Sequence, residues 1–139
     1  MKQIIVAAAL VGIGATAALA VADPKRDAIL ADLATQTKAS DPAFTAFDAE
    51  RGKTFWFAAH AGGKPDTPSC TTCHTKDPKA AGQTRAGKEI APMAVSKSPN
   101  RFTDPEKVAK WLLRNCKTVL GRECTPAEKG DVITFLASQ

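Results

Sequence analysis

Apolar residues fall into separated clusters along the chain, and the spacing within each cluster predicts an element. Ile29, Leu30 and Leu33 share one helical face after Asp23-Pro24, which reads as an N-cap followed by proline at the first helical position. Ser40-Asp41-Pro42 breaks that helix, and Phe44, Phe47, Phe55, Trp56 and Phe57 make 43–59 the aromatic-rich segment. Val108, Trp111, Leu112, Asn115 and Val119 stand at i, i+3, i+4, i+7 and i+11, one inward stripe of a helix. Thr103-Asp104-Pro105-Glu106 reads as its capping box with Thr103 as N-cap, and Gly121 as its stop. Thr125-Pro126-Ala127-Glu128 is a second capping box, opening a last helix with Val132, Phe135 and Leu136 inward. Gly62-Gly63 through Pro68 is turn-rich, and 75–102 reads as loop with one helical turn. No stretch alternates as a strand does, so the expected fold is all-α.

The front of the chain differs from the rest. Of 139 residues 44% are hydrophobic, about 61 in all, and residues 1–22 hold 17 of these. Lys2, the nearly unbroken apolar run Ile4 to Ala17, and the small-residue exits Ala18-Leu19-Ala20 and Ala20-Val21-Ala22 have the anatomy of a secretory signal peptide. An uncleaved anchor is the alternative; Gly12, Gly14, Thr16 and the many alanines would make it a weak one. The expectation is a cleaved leader over 1–22 and one small domain over 23–139, exported to the periplasm, where disulfides persist. Such a domain has a thin core that a cofactor or covalent staple would support. Collagen, low-complexity disorder, multi-pass membrane proteins and large multidomain enzymes are excluded.

Charge changes the picture little. Lys and Arg number 19 against 14 Asp and Glu, with no basic run of five. Nucleic acid is therefore not an expected partner, and a mild preference for an acidic redox partner is as far as the charge goes.

Cys70-Thr71-Thr72-Cys73-His74 carries the chemistry. C-x-x-C-H is the signature of c-type haem attachment: two thiols so spaced reach the two vinyl groups of one porphyrin, and the adjacent imidazole is held beneath the iron. A zinc or iron–sulfur site would want a second close pair, but Cys116 and Cys124 have seven residues between them. A thioredoxin-like dithiol would want a βαβ pattern. A structural disulfide between Cys70 and Cys73 leaves His74 without a role. Cys116 and Cys124 then remain, bracketing the turn between two capped helices. A disulfide between them closes a loop of about nine residues, worth roughly 2–3 kcal/mol on the loop-entropy account; two free thiols are the alternative.

The sixth iron position has three candidates. Met93, the only methionine after the leader, lies 19 residues beyond His74, short for a chain crossing from one haem face to the other. His60, beside Gly62-Gly63, is expected to face solvent. Asn115 is a carboxamide on an apolar stripe, which must be paired or cost roughly 1–3 kcal/mol; it either bonds backbone carbonyls near the helix end or places its oxygen at the iron. Ferric iron tolerates a neutral oxygen donor and ferrous iron prefers softer ligands. An amide ligand would therefore release on reduction and leave a site suited to O₂, NO or CO.

Trp111-Leu112-Leu113-Arg114-Asn115-Cys116 and Gly121-Arg122-Glu123-Cys124-Thr125-Pro126 resemble the sphaeroides haem protein (SHP) family, small monohaem class I cytochromes c. Thr84 to Ile90, Pro92 and Arg101 to Asp104 extend the resemblance, which covers about 50–138. It implies one covalent high-spin haem c, with His74 proximal and Asn115 a distal ligand lost on reduction, after which oxygen and nitric oxide bind. It also implies a Cys116–Cys124 disulfide, and electron exchange with a dihaem cytochrome c and a membrane b-type cytochrome. The related cytochrome c'' branch has histidine where Asn115 stands, and Met93 replaces the family's leucine. The rival reading is an ordinary His/Met electron-transfer cytochrome with Met93 as sixth ligand; a second is a non-haem thiol or zinc protein. No general acid or base is apparent, so no reaction is named.

Overall fold

The computed structural model describes residues 22–139; the leader reading falls almost wholly on 1–21, outside the described residues. Five helices and one tiny hairpin follow in the order α1 (Pro24–Ser40), α2 (Ala49–Phe57), α3 (Thr71–His74), β1 (Gly82–Gln83), β2 (Glu89–Ile90), α4 (Pro105–Leu120) and α5 (Pro126–Ala137).

Short polar side chains start the long helices, because each can accept the N–H groups that the first turn leaves unpaired. Asp23 accepts from Lys25 and Arg26, and Asp48 from Arg51 at 2.7 Å. The second capping box is present: Glu128 N–H donates to Thr125 Oγ1 at 3.2 Å, and Thr125 N–H to Glu128 Oε2 at 2.8 Å. Gly121, at φ 73°, ends α4 in the left-handed conformation expected of a glycine stop.

Three expectations need correction. The N-cap of α4 is Asp104, not Thr103: the carboxylate accepts from Lys107 N–H at 3.0 Å, while the Thr103 hydroxyl turns back to the Asn100 carbonyl at 2.9 Å. A carboxylate directly before Pro105 captures the helix donor, which leaves the threonine outside. In 75–102 the single helical turn is there, with the Ser98 N–H donating to the Ala94 carbonyl at 3.0 Å, but the segment also carries the antiparallel pair Gly82↔Ile90 and Gln83↔Glu89, closed by a turn with Gly87 at φ 78°. Two residues per strand are too few for alternation to register in a sequence. Trp111 and Asn115 do not join the buried stripe of α4; Trp111 is 50% exposed and Asn115 is exposed as well.

The core forms where α5 crosses α2, and α1 packs on the same helix. Trp56, Val132, Phe135 and Leu136 are one buried cluster; Cys116, Val119, Leu120 and Cys124 are another, with Phe55 packed against both. Gly52 makes the crossing possible, since a Cβ there would collide with the Asp131 carbonyl. The Asp131 carboxylate in turn holds Arg51 Nε at 2.8 Å and the Asp48 N–H at 2.7 Å. Buried Arg26 ties α1 to the loop before α4, donating to the Pro99 carbonyl at 2.7 Å and the Arg101 carbonyl at 3.0 Å.

Candidate functional site

The C-x-x-C-H segment is one turn of helix. Cys70 takes helical dihedrals as the residue before α3, and the His74 N–H donates to its carbonyl at 3.1 Å. The turn places Cys70, Cys73 and His74 together along one cleft. Its entry is pinned to α2 by the Ser69 hydroxyl, which donates to the Trp56 carbonyl at 3.2 Å. Its exit is strained at Thr75, φ 62°, an uncommon region for a β-branched residue. Gly82 packs behind it, where a Cβ would strike the Cys73 carbonyl.

Electrostatically the turn is neutral. Burial, reinforced by the nearby positive charge of Arg101, lowers the His74 imidazole to about 4, so its ring carries no charge near neutral pH and keeps a lone pair to donate. The ring lies 5.3 Å from that of Trp56, and its Nδ1 is buried without a hydrogen-bond partner, as is Trp56 Nε1. Burial raises the Cys70 thiol to about 11. Cys70 and Cys73 are both free thiols, while Cys116 and Cys124 form a disulfide with Cα atoms 5.6 Å apart.

The cleft encloses about 730 Å³ free of protein atoms, open solvent at its mouth included. The two core clusters form its walls. On one, His74 faces Trp56, with Cys70, Met93 and Phe102 packed against the same cluster. The other is the inner face of α4 around Cys116 and Val119. Asn115 lines the cleft on this second wall. The residue is exposed and has no hydrogen-bond partner among the described residues, so its carboxamide does not cap backbone carbonyls. Met93 also lines the cleft, packed against the Trp56 cluster.

His60 departs from expectation. It is half-buried, its Nε2 lies 2.9 Å from the Phe55 carbonyl and its ring 4.6 Å from that of Phe55; it does not line the cleft. Several lining residues escaped the sequence reading, Lys129, Glu128 and Phe102 among them. Lys129 and Glu128 border the cleft from α5, with Lys129 tied to Glu123 at 2.6 Å and Glu128 to Arg122 at 2.7 Å. The i, i+3, i+7 spacing of Lys129, Val132 and Leu136 was the available signal. Phe102, at φ 63°, has no such signal, since its position depends on the Arg26 clamp on the preceding carbonyl.

Two free thiols three residues apart, a neutral imidazole with an unpaired nitrogen, and a mostly apolar cleft between two walls fit a c-type haem. A tetracysteine site is ruled out by the Cys116–Cys124 bond, and no group of three His, Cys, Asp or Glu among the described residues is arranged to hold a metal ion.

Comparison with known proteins agrees. A family described as a domain of unknown function, DUF1924, matches residues 42–136. The cytochrome c-type protein SHP of Cereibacter sphaeroides is 61% identical over 92 residues, 66% of this chain and 71% of that protein. The structure of oxidised SHP, an oxygen binding cytochrome c, superposes with a TM-score of 0.75 at 50% identity, covering 82% of this chain and 96% of that one. The solution structure of cytochrome c'' from Methylophilus methylotrophus, described through its haem-ligand detachment, gives a TM-score of 0.69 at 29% identity over 82% and 93% of the two chains. The all-α class I cytochrome c fold expected from the sequence is thus the observed one, haem c is the implied cofactor, and the chain belongs to the family of small c-type cytochromes that holds SHP and cytochrome c''.

Proposed function

We propose that this chain is an exported monohaem cytochrome whose distal ligand is held only in the oxidised state, so that reduction opens the haem to O₂, NO or CO. Cys70 and Cys73 would hold the haem as thioethers, His74 would ligate one face, and the Asn115 carbonyl oxygen the other. When bound, the haem supplies a one-electron couple and an iron position for a diatomic ligand.

The chain's own residues divide the work. Burial keeps His74 neutral, so its lone pair is available without competition from a proton near pH 7. Trp56 packs beside the imidazole and restrains its tilt. Asn115 offers a neutral oxygen, a weak donor suited to ferric iron and poorly suited to ferrous iron. The disulfide fixes the helix end that aims it, since Cys116 is the next residue. The observation that carries this reading is Asn115, which lines the same cleft as Cys70, Cys73 and His74 and has no hydrogen bond among the described residues. Support comes also from SHP, described as an oxygen binding cytochrome c, and from the haem-ligand detachment of cytochrome c''. Electrons would come from other cytochromes; the family resemblance suggests a dihaem cytochrome c and a membrane b-type cytochrome.

Met93 as sixth ligand is the second reading, since it too lines the cleft. Optical spectra of the oxidised and reduced protein, with and without CO, test the choice. The proposal expects a CO-induced shift in the reduced protein and an oxidised spectrum unchanged by Met93→Leu. A sulfur-to-iron charge-transfer band lost in Met93→Leu, with reduced protein indifferent to CO, establishes the rival.

A further inference from the structure

The outer flank of α4 holds an arrangement that neither the core nor the haem cleft accounts for. Trp111 is 50% exposed, in a domain where Phe57, at 41%, is the one other exposed large hydrophobic among the described residues. Two cations lie over its ring, Lys110 Nζ 5.8 Å and Arg114 Cζ 5.1 Å from its centroid. The helix carries Lys107, Lys110, Arg114 and Lys117, all exposed, against the single acid Glu106. Elsewhere Arg51, Arg85 and Arg122 are each closed by a carboxylate. On α4, Lys107 meets Asp104 at 3.3 Å, but Lys110 and Arg114 have no acidic partner among the described residues. Trp111 precedes Asn115 by one helical turn, so this flank borders the wall of the cleft that Asn115 lines.

We propose that Lys110, Trp111 and Arg114 form the docking surface for an acidic redox protein that passes electrons to the haem. The inference rests on the reading of this chain as an electron-accepting cytochrome and names the surface that reading leaves open. A tryptophan left in water contributes nothing to the fold, yet large aromatics flanked by arginine are the residues that dominate binding energy at interfaces. The cation–π contacts restrict the ring's rotamers before a partner arrives, which lowers the ordering cost of association. Unpaired positive charge selects a negative partner and steers its approach, while the ring beside Asn115 brings that partner to the edge of the cleft.

The test uses the ferric holoprotein and reduced flavodoxin, an acidic protein, as the probe donor. At low ionic strength Lys110→Glu with Arg114→Glu should slow the second-order reduction at least about tenfold. Trp111→Ala alone should slow it several-fold. A matched reversal on the exposed lysines of other elements, Lys38→Glu with Lys97→Glu, should change it less than about twofold if steering is local. Reduction by neutral lumiflavin semiquinone should be the same in every variant, which shows that each has folded and kept its haem. Equal slowing by the two double variants would reduce the effect to net charge and overturn the proposal. Co-sedimentation with phosphatidylglycerol vesicles, lost in Lys110→Glu with Arg114→Glu while flavodoxin rates stay unchanged, would assign the patch to a lipid surface and overturn it as well. CO uptake by the reduced protein, measured in parallel, tests the distal-ligand reading separately.

Discussion

Gly52 of α2 lies directly against the backbone carbonyl of Asp131 in α5, with Phe135 Cβ 2.9 Å from where a Cβ would stand. That crossing supports Trp56, one turn further along α2, and through Trp56 the His74 ring. Gly52→Ala must force the helices apart, because the obstacle is backbone and not the end of a flexible side chain. The expected loss is about 3 kcal/mol, read as a lower thermal midpoint, with less haem retained per chain on purification.

Removing the distal amide separates the two ligand readings. Asn115→Ala should alter the oxidised spectrum and leave the reduced protein able to take up CO. Asn115→His should make the oxidised iron six-coordinate through two imidazoles, seen as a low-spin optical and paramagnetic resonance signature. An oxidised spectrum indifferent to both changes would falsify the role given to Asn115.

The disulfide has a thermodynamic and a functional readout. Cys124→Ser should lower stability by about 2–3 kcal/mol on the loop-entropy account. Because Cys116 adjoins Asn115, the same change should alter CO association kinetics. Lowered stability with unchanged kinetics would leave the bridge as a staple alone.

Acid should weaken the start of α5 in a defined direction. The Arg122 guanidinium, aided by the Thr125 N–H, holds the Glu128 carboxyl below its ordinary 4.5. A carboxyl with a lower pKa in the folded chain contributes stability that is complete above about 4.5 and fades as the pH falls through the folded value. The gap in thermal midpoint between the parent and Glu128→Gln should therefore be widest near pH 7 and shrink below pH 4.5.

The sequence made the long helices and the haem motif legible because both follow local rules. Thr125 and Glu128 sit at capping-box spacing and bond as one, and Gly121 is the left-handed stop. Cys70, Cys73 and His74 are close in the chain and so are necessarily close in space. Asn115 was visible as a polar break in an apolar stripe. Trp111 was misplaced because helical periodicity defines a stripe but not its edges, and residues on the flank can turn outward. Phe102 and Trp56 were hidden for another reason. Their places beside the cleft depend on contacts with residues far along the chain, the Arg26 clamp in one case and the α2–α5 crossing in the other.

The four cysteines of this chain meet opposite fates. Cys116 and Cys124 are bonded to one another, whereas Cys70 and Cys73 form no disulfide. Disulfide exchange proceeds through the thiolate, and the Cys70 sulfur, raised to about 11 by burial, is almost entirely protonated at neutral pH. Burial therefore sets Cys70 apart from the bridge: at neutral pH little reactive anion stands there to exchange with the Cys116–Cys124 disulfide.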